Sequence, residues 1–167
     1  MFEDEARFGR INDPKRCWAP EGIRPTVPSH FVREYTYVYG AVCPKDGKSD
    51  FLILPNMRTD CMKIFLQELS VRYANEVVLL VLDGASNHKA CSAPPENILM
   101  VHLPPYCPEL NPVEHIWEDM REKHFKNLAF DSLSGVEKVL NSACIAYESN
   151  HELVRSISGF HWILNTV

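Results

Sequence analysis

Apolar and polar positions along the chain separate into stretches of two different periods. Tyr35 to Val42 (YTYVYGAV) is rich in aromatic and β-branched residues and predicts a strand. Pro44 to Lys48 (PKDGK) contains Asp46-Gly47, a strong short hairpin signal, and Ser49 to Leu54 supplies the partner strand. Thr59 can cap a helix running to about Tyr73, with apolar positions 62, 65, 66, 69 and 73 on one face. Val77 to Leu82 (VVLLVL) is an unbroken apolar run, which predicts a strand buried on both faces and ending at Asp83-Gly84. Ser92 to Asn97 reads as a loop, and Ile98 to Leu103 as another apolar strand.

The second half returns to helical spacing. Asn111 is a good N-cap, Pro112 suits the first helical position and Glu114 falls at the third. Val113, Ile116, Trp117, Met120 and His124 follow the helical period. A last helix spans about Leu133 to Ser149, and the tail with Phe160, Trp162, Ile163 and Leu164 is expected to pack back on the core. At the other end, residues 1–6 predict at best a very short strand. The proline-bearing stretch 9–34 reads as an ordered loop with room for one short strand. The order strand, hairpin, helix, strand, strand, helix, helix is that of a layered mixed α/β protein. The helix before Val77 is a natural crossover that lays the next strand parallel to an earlier one.

Composition narrows the class. The 167 residues suit one domain, with 46% hydrophobic and 23% charged residues as in an ordinary globular protein. Met1 is followed by the acidic run Glu3, Asp4, Glu5, unlike a signal peptide, and no apolar run approaches membrane-spanning length, so a cytoplasmic location is expected. The six cysteines are single, with no CxxC pair, which disfavours a zinc knuckle and predicts reduced, buried or half-buried thiols. A net charge of −5 argues against strong DNA binding by bulk electrostatics alone. Arg7, Arg10, Lys15, Arg16, Arg24 and Arg33 gather early, but acids match them in number, which favours a mixed solvated surface over a phosphate-contacting patch.

Three acids stand out as candidate chemistry. Asp83 closes an apolar strand, where functional groups of open α/β sheets gather, although Asp-Gly is also ordinary turn chemistry. Asp4 shares a strand face with Phe2, whereas Glu3 and Glu5 point the other way. Glu114 opens a helix after a rigid proline-rich loop; it could equally complete a capping box, and Glu118, one turn on, is a rival. Three converging carboxylates suit the holding of two divalent ions for phosphoryl transfer on nucleic acid. His88, Lys89 and His115 are candidates for ordering a water or touching phosphate. Trp117 is expected to pack beside the acids, and Arg121 to pair with Glu114 or Glu118. No helical HExxH pair is present, so oxygen ligands and a hard ion are the better fit.

The segments DEARFG, CWAPEGIRP, LDGASNHK and LPPYCPELNPVEHIWEDM, in this order, resemble the DDE transposases, in particular the mariner-like superfamily and its bacterial insertion-sequence 630 branch. The resemblance implies a ribonuclease H-like fold, a five-stranded mixed sheet flanked by helices, across 1–167. It implies catalytic and metal-binding roles for Asp4 on the first strand, Asp83 at the end of the fourth and Glu114 opening a helix, so it selects Glu114 over Glu118. It further implies two Mg²⁺ or Mn²⁺ ions per site, cutting at the terminal inverted repeats of a transposon, joining of the freed 3′-hydroxyl to target DNA at TA, and a dimer on DNA. Relatives carry a helix-turn-helix region before the first Asp and more apolar residues ahead of it. Here the first strand is expected to be a stub that weakens the sheet, and three readings stay open: a catalytic domain alone, the second reading frame of a split element, or a decayed copy. A catalytically inactive remnant and a repair or defence nuclease on the same fold are the alternatives.

Overall fold

A computed structural model describes residues 1–11, 14–84 and 93–165. Five strands form one mixed sheet in the order β3-β2-β1-β4-β5: β1 (Phe2–Gly9), β2 (Tyr35–Val42), β3 (Ser49–Leu54), β4 (Val78–Leu82) and β5 (Ile98–His102). β2 pairs antiparallel with both β1 and β3, whereas β4 lies parallel to both β1 and β5. The Asp46-Gly47 turn forms as its sequence demands: Gly47 takes φ +76°, and Lys48 N–H donates to Asp46 Oδ1 at 2.9 Å.

Helix α1 (Thr59–Arg72) covers one face of the sheet, where Met62, Phe65, Leu66 and Leu69 are buried with Tyr39, Ala41, Leu80, Leu82 and Ile98. Its N-cap is Arg58 rather than Thr59, with no side-chain cap. The other face carries α2 (Val113–Met120), α3 (Leu133–Glu148) and α4 (His151–Ser158). Ile116, Trp117, Met120, Val136, Leu140, Ala143 and Tyr147 pack there on Ala6, Phe8, Val38, Val42 and Phe51. A single π-helical turn, Arg121–Phe125, continues α2, and a short α5 (His161–Leu164) ends the fold with Ile163 buried. α4 has no counterpart in the hydrophobic pattern read from the sequence.

Three expectations are corrected. β1 is eight residues long rather than very short, because the core-facing alternation through Ala6 and Phe8 carries the strand past residue 6. It pairs with β2 along its whole length, from Phe2↔Val42 to Gly9↔Tyr35. Its parallel register with β4 is confined to Phe2↔Val81, supported by Val81 N–H donating to the Met1 carbonyl at 2.9 Å. Second, β4 is buried on one face only. Leu79 is 51% exposed and its register partner Leu99 is 54% exposed, because α2 and α3 cover the β1–β3 half of the sheet and leave this half open. Third, residues 14–34 contain no strand; side chains tie this stretch down instead, with Arg10 Nη1 donating to Glu34 at 2.8 Å and Lys15 clamped to Asn127. Of the cysteines, Cys61 and Cys144 are buried, Cys43 and Cys107 half-buried, and Cys17 exposed; Cys91 lies outside the described residues.

Candidate active site

The short β1–β4 register decides the first pair of acids. Advancing Phe2↔Val81 by two residues on each parallel strand sets Asp4 abreast of Asp83, with both side chains on the face of Phe2 and Val81. Leu82 ends β4, and His102 Nδ1–H donates to the Asp83 carbonyl at 2.9 Å, tying the strand end to β5.

Helix α2 brings the third acid. Asn111 is 4% exposed and works in two directions. The N-cap of α2 is Pro112 rather than Asn111, but Asn111 Oδ1 accepts from Val113 N–H at 3.2 Å and its Nδ2 donates to the Glu3 carbonyl at 2.8 Å, pinning the start of the helix to β1. Two turns on, Trp117 is 1% exposed and its Nε1–H donates to Asp4 Oδ2 at 2.8 Å. Residues 111, 114 and 117 share one helical face. With both outer members bonded to β1, Glu114 must look toward Asp4. The capping-box alternative is not realised, since Asn111 N–H donates to the Pro108 carbonyl at 2.9 Å.

Asp4, Asp83 and Glu114 thus border one pocket of about 450 Å³, completed by Gly84, Asn111 and the loop from Leu103 to Pro108. In that loop Tyr106 holds φ +60° and is 99% exposed, a left-handed backbone at a non-glycine residue beside the site. Burial and then the Glu114 charge push the Asp4 carboxyl up to about 7, against the Trp117 hydrogen bond, which pulls it down. Glu3, on the opposite face of β1, is fully buried, and burial above all drives its carboxyl well above the ordinary range. Neither Glu3 nor Glu5 lines the pocket.

The remaining candidates separate. Trp117 packs beside the acids as expected and also bonds one of them. Glu118 points outward and meets His115 Nδ1 at 3.2 Å, while the His115 ring stands edge-on to Phe160 with centroids 5.0 Å apart. Neither lines the carboxylate pocket: His115 is rotated off the Glu114 face, and the Glu118 side chain is 72% exposed one turn further along. Arg121 pairs with neither acid; its guanidinium lies over the Phe8 ring at 5.2 Å. His88 and Lys89 lie outside the described residues. The sequence marked Asn111 only as a cap; its second bond, to β1, had no sequence signal because it spans 108 positions.

Comparison with known proteins gives the family and the fold. A family model described as DDE superfamily endonuclease matches residues 1–137. The chain belongs to the DDE endonuclease superfamily. A relative in Sinorhizobium fredii (strain NBRC 101917 / NGR234), the uncharacterized protein y4pE/y4sA, is 35% identical over 115 residues, covering 68% of this chain and 83% of the relative. Among solved structures, the Mos1 mariner paired-end complex with Mn matches with a TM-score of 0.65 at 18% identity, over 93% of this chain and 52% of that one. The Mos1 strand transfer complex matches with a TM-score of 0.62 at 17% identity, over 96% and 54%. The paired-end complex with Mg matches at 0.63 and 16%, over 99% and 54%. The chain spans about half the length of the Mos1 chains. The likeness shows the fold: the five-stranded mixed sheet flanked by helices of this DDE family chain is the ribonuclease H-like fold.

The donor set fits a hard divalent cation. The three acids offer only oxygen ligands, the chemistry that such ions prefer. A cation between Asp4 and Glu114 would relieve the repulsion that raises the proton affinity of Asp4. Among the described residues no three His, Cys, Asp or Glu side chains close into a tight metal cage, so the acids border a shared space rather than a preformed cluster.

Proposed function

We propose that this DDE endonuclease family chain is the catalytic domain of a transposase that cuts DNA at transposon ends and joins the freed end to target DNA. The observation that carries the proposal is the meeting of three acids from separate elements, Asp4, Asp83 and Glu114, at one pocket. The mariner-like fold and the presence of transposon-end DNA in the Mos1 complexes support it. The bacterial insertion-sequence 630 branch, inverted repeats as the cut site, TA as target, a dimer on DNA and action in the bacterial cytoplasm complete the reading. No helix among the described residues is long and apolar enough to cross a membrane.

In each step an oxygen nucleophile, water or a 3′-hydroxyl, forms a new bond to phosphorus while the opposite P–O bond breaks and its oxygen leaves. Two Mg²⁺ or Mn²⁺ ions, when bound, supply charge stabilisation at the attacking and leaving oxygens. Asp4, Asp83 and Glu114 are the residues that would hold them. Trp117 fixes the rotamer of Asp4 through its Nε1–H, and Asn111 fixes the helix that presents Glu114. The contribution of the protein is placement and charge rather than a covalent intermediate.

The test is nicking of supercoiled plasmid and of inverted-repeat duplexes in Mg²⁺ or Mn²⁺. The wild type nicks, with preference for the repeat ends, and Asp83→Ala reduces cutting by at least about 100-fold, as loss of a metal ligand should. Equal nicking by the two proteins defeats the assignment. Preference for branched DNA over repeat ends moves it to a repair or defence nuclease.

A further inference from the structure

We propose a second nucleic-acid contact, a phosphate-binding cleft at the far end of β1 and α2, that grips the DNA strand leaving the carboxylate pocket. The inference rests on the proposed DNA chemistry of that pocket but uses different residues.

The cleft has a volume of about 230 Å³ and is lined by Arg7, Lys15, Arg121 and Lys126 above an apolar floor that includes Phe8 and Phe125. Its floor is a stack of rings: Phe8 and Phe125 centroids are 4.7 Å apart, and Phe125 and Phe130 are 5.8 Å apart. Two of its cations are carried in an unusual way. Arg121 lies over Phe8 at 5.2 Å on one face of β1, and Arg7, which strand alternation places on the other face, lies over Tyr35 at 4.5 Å. The two guanidiniums thus flank the strand that runs through the cleft wall. Both residues are exposed, and among the described residues neither has a carboxylate partner. Stacking on a ring immobilises a guanidinium while leaving its in-plane N–H donors open, which is the geometry for bidentate capture of phosphate.

The local backbone is shaped to hold this arrangement. The π-helical turn Arg121–Phe125 lets both of its end residues reach Phe8, and π turns inside helices recur at functional sites. Asn127 then takes φ +57° and clamps Lys15 by a reciprocal pair: Lys15 N–H donates to Asn127 Oδ1 at 2.8 Å, and Asn127 Nδ2 donates to the Lys15 carbonyl at 3.1 Å. The remaining cations are partly neutralised: Lys126 is paired with Glu122, and Arg10, just outside the cleft, with Glu34. Arg7 and Arg121 are therefore two cleft cations that no described carboxylate offsets.

Position ties the cleft to the chemistry. Asp4 and Phe8 share a face of β1 four residues apart, about 13 Å at strand rise. That is roughly four nucleotides of axial rise along one DNA strand. From Asp4 to Gly9, β1 has run past the end of β4, and among the described residues it pairs with a strand on one side only, so the route between the two sites follows that edge of β1.

The test measures binding, not cutting. Anisotropy of a labelled 30-base-pair duplex is recorded with the full chain in EDTA from 50 to 200 mM KCl. Each phosphate contact adds about 0.9 to the slope of log affinity against log salt, so Arg7→Gln and Arg121→Gln should each lower it by about 0.9 and the double variant by about 1.8. Over that fourfold salt range, wild-type affinity should fall about 12-fold more than that of the double variant. Lys123→Gln, on the same turn but outside the cleft and paired with Asp119 at 2.9 Å, should keep the wild-type slope, and melting curves should show all variants folded. A wild-type slope in the double variant overturns the proposal, as does an equal loss in Lys123→Gln or no binding by the wild type at 50 mM KCl. Asp83→Ala separates the two readings: it should lose cutting and keep the slope, so one reading can fail without the other.

Discussion

Replacing Asp4 by Asn should make the metal-free protein more stable while removing its chemistry. Asn keeps an oxygen to accept the Trp117 Nε1–H bond but carries no charge. In the native chain burial and Glu114 raise the Asp4 carboxyl from 3.8 to about 7. The interval between those values, at 1.36 kcal/mol for each pH unit, comes to roughly 4 kcal/mol. The sign follows from proton linkage. Native Asp4 holds its proton more tightly than the unfolded chain does, so wild-type stability falls as pH rises from about 4 to about 7 and is level beyond. Asp4→Asn lacks this loss. The two proteins should unfold at similar urea concentrations near pH 4, diverge through pH 5.5, and differ by roughly 4 kcal/mol at pH 8 in EDTA, or about 10 °C in melting temperature for a chain of this size. Millimolar Mg²⁺ at pH 8 should raise the wild-type melting temperature by binding linkage and leave Asp4→Asn nearly unmoved. Coincident unfolding curves at pH 8 would refute the electrostatic reasoning. A gap that persists at pH 4 would show that shape rather than charge separates the variants.

Two further substitutions probe how the site is held. Asn111→Ala removes the hydrogen bond to Val113 N–H, worth about 1 kcal/mol, and leaves the Glu3 carbonyl without the Asn111 donor. It should cost about 2–4 kcal/mol in urea unfolding and reduce nicking, because Glu114 loses its anchor on β1. Gly40→Ala places a methyl 2.6 Å from Cη2 of Trp117 and 2.9 Å from Cε1 of Phe51, directly across β2 from Asp4. Overpacking should cost about 1–3 kcal/mol in thermal melts and depress nicking through the displaced indole. A lowered melting temperature with unchanged nicking would show that the Trp117 bond to Asp4 is dispensable.

What the sequence determined by itself was local. The hairpin at Asp46-Gly47, helix α1, the Asn-Pro start of α2 and the strands β2 to β5 all follow from short-range period and turn chemistry, which act over a few residues and need no partner. The three acids carried unequal signals: Asp83 ends an apolar strand and Glu114 starts a helix, whereas Asp4 had no local mark and was picked out by its family motif, as was Glu114 over Glu118. Tertiary structure decided which acids meet. Glu114 and Glu118 are nearly equivalent by helical position, and only the bonds of Asn111 and Trp117 to β1 turn Glu114 inward. It also decided the length of β1, whose Ala6 and Phe8 become core residues only when α2 and α3 cover them, and the open face of β4, whose uniform apolar run carries no sign of which side a helix will cover. The early arginines read as mixed surface charge because their acids match them along the chain. Folding separates them in space, stacking Arg7 on Tyr35 and Arg121 on Phe8 while pairing Arg10 with Glu34, and pairings between distant segments are set by packing rather than by spacing in sequence.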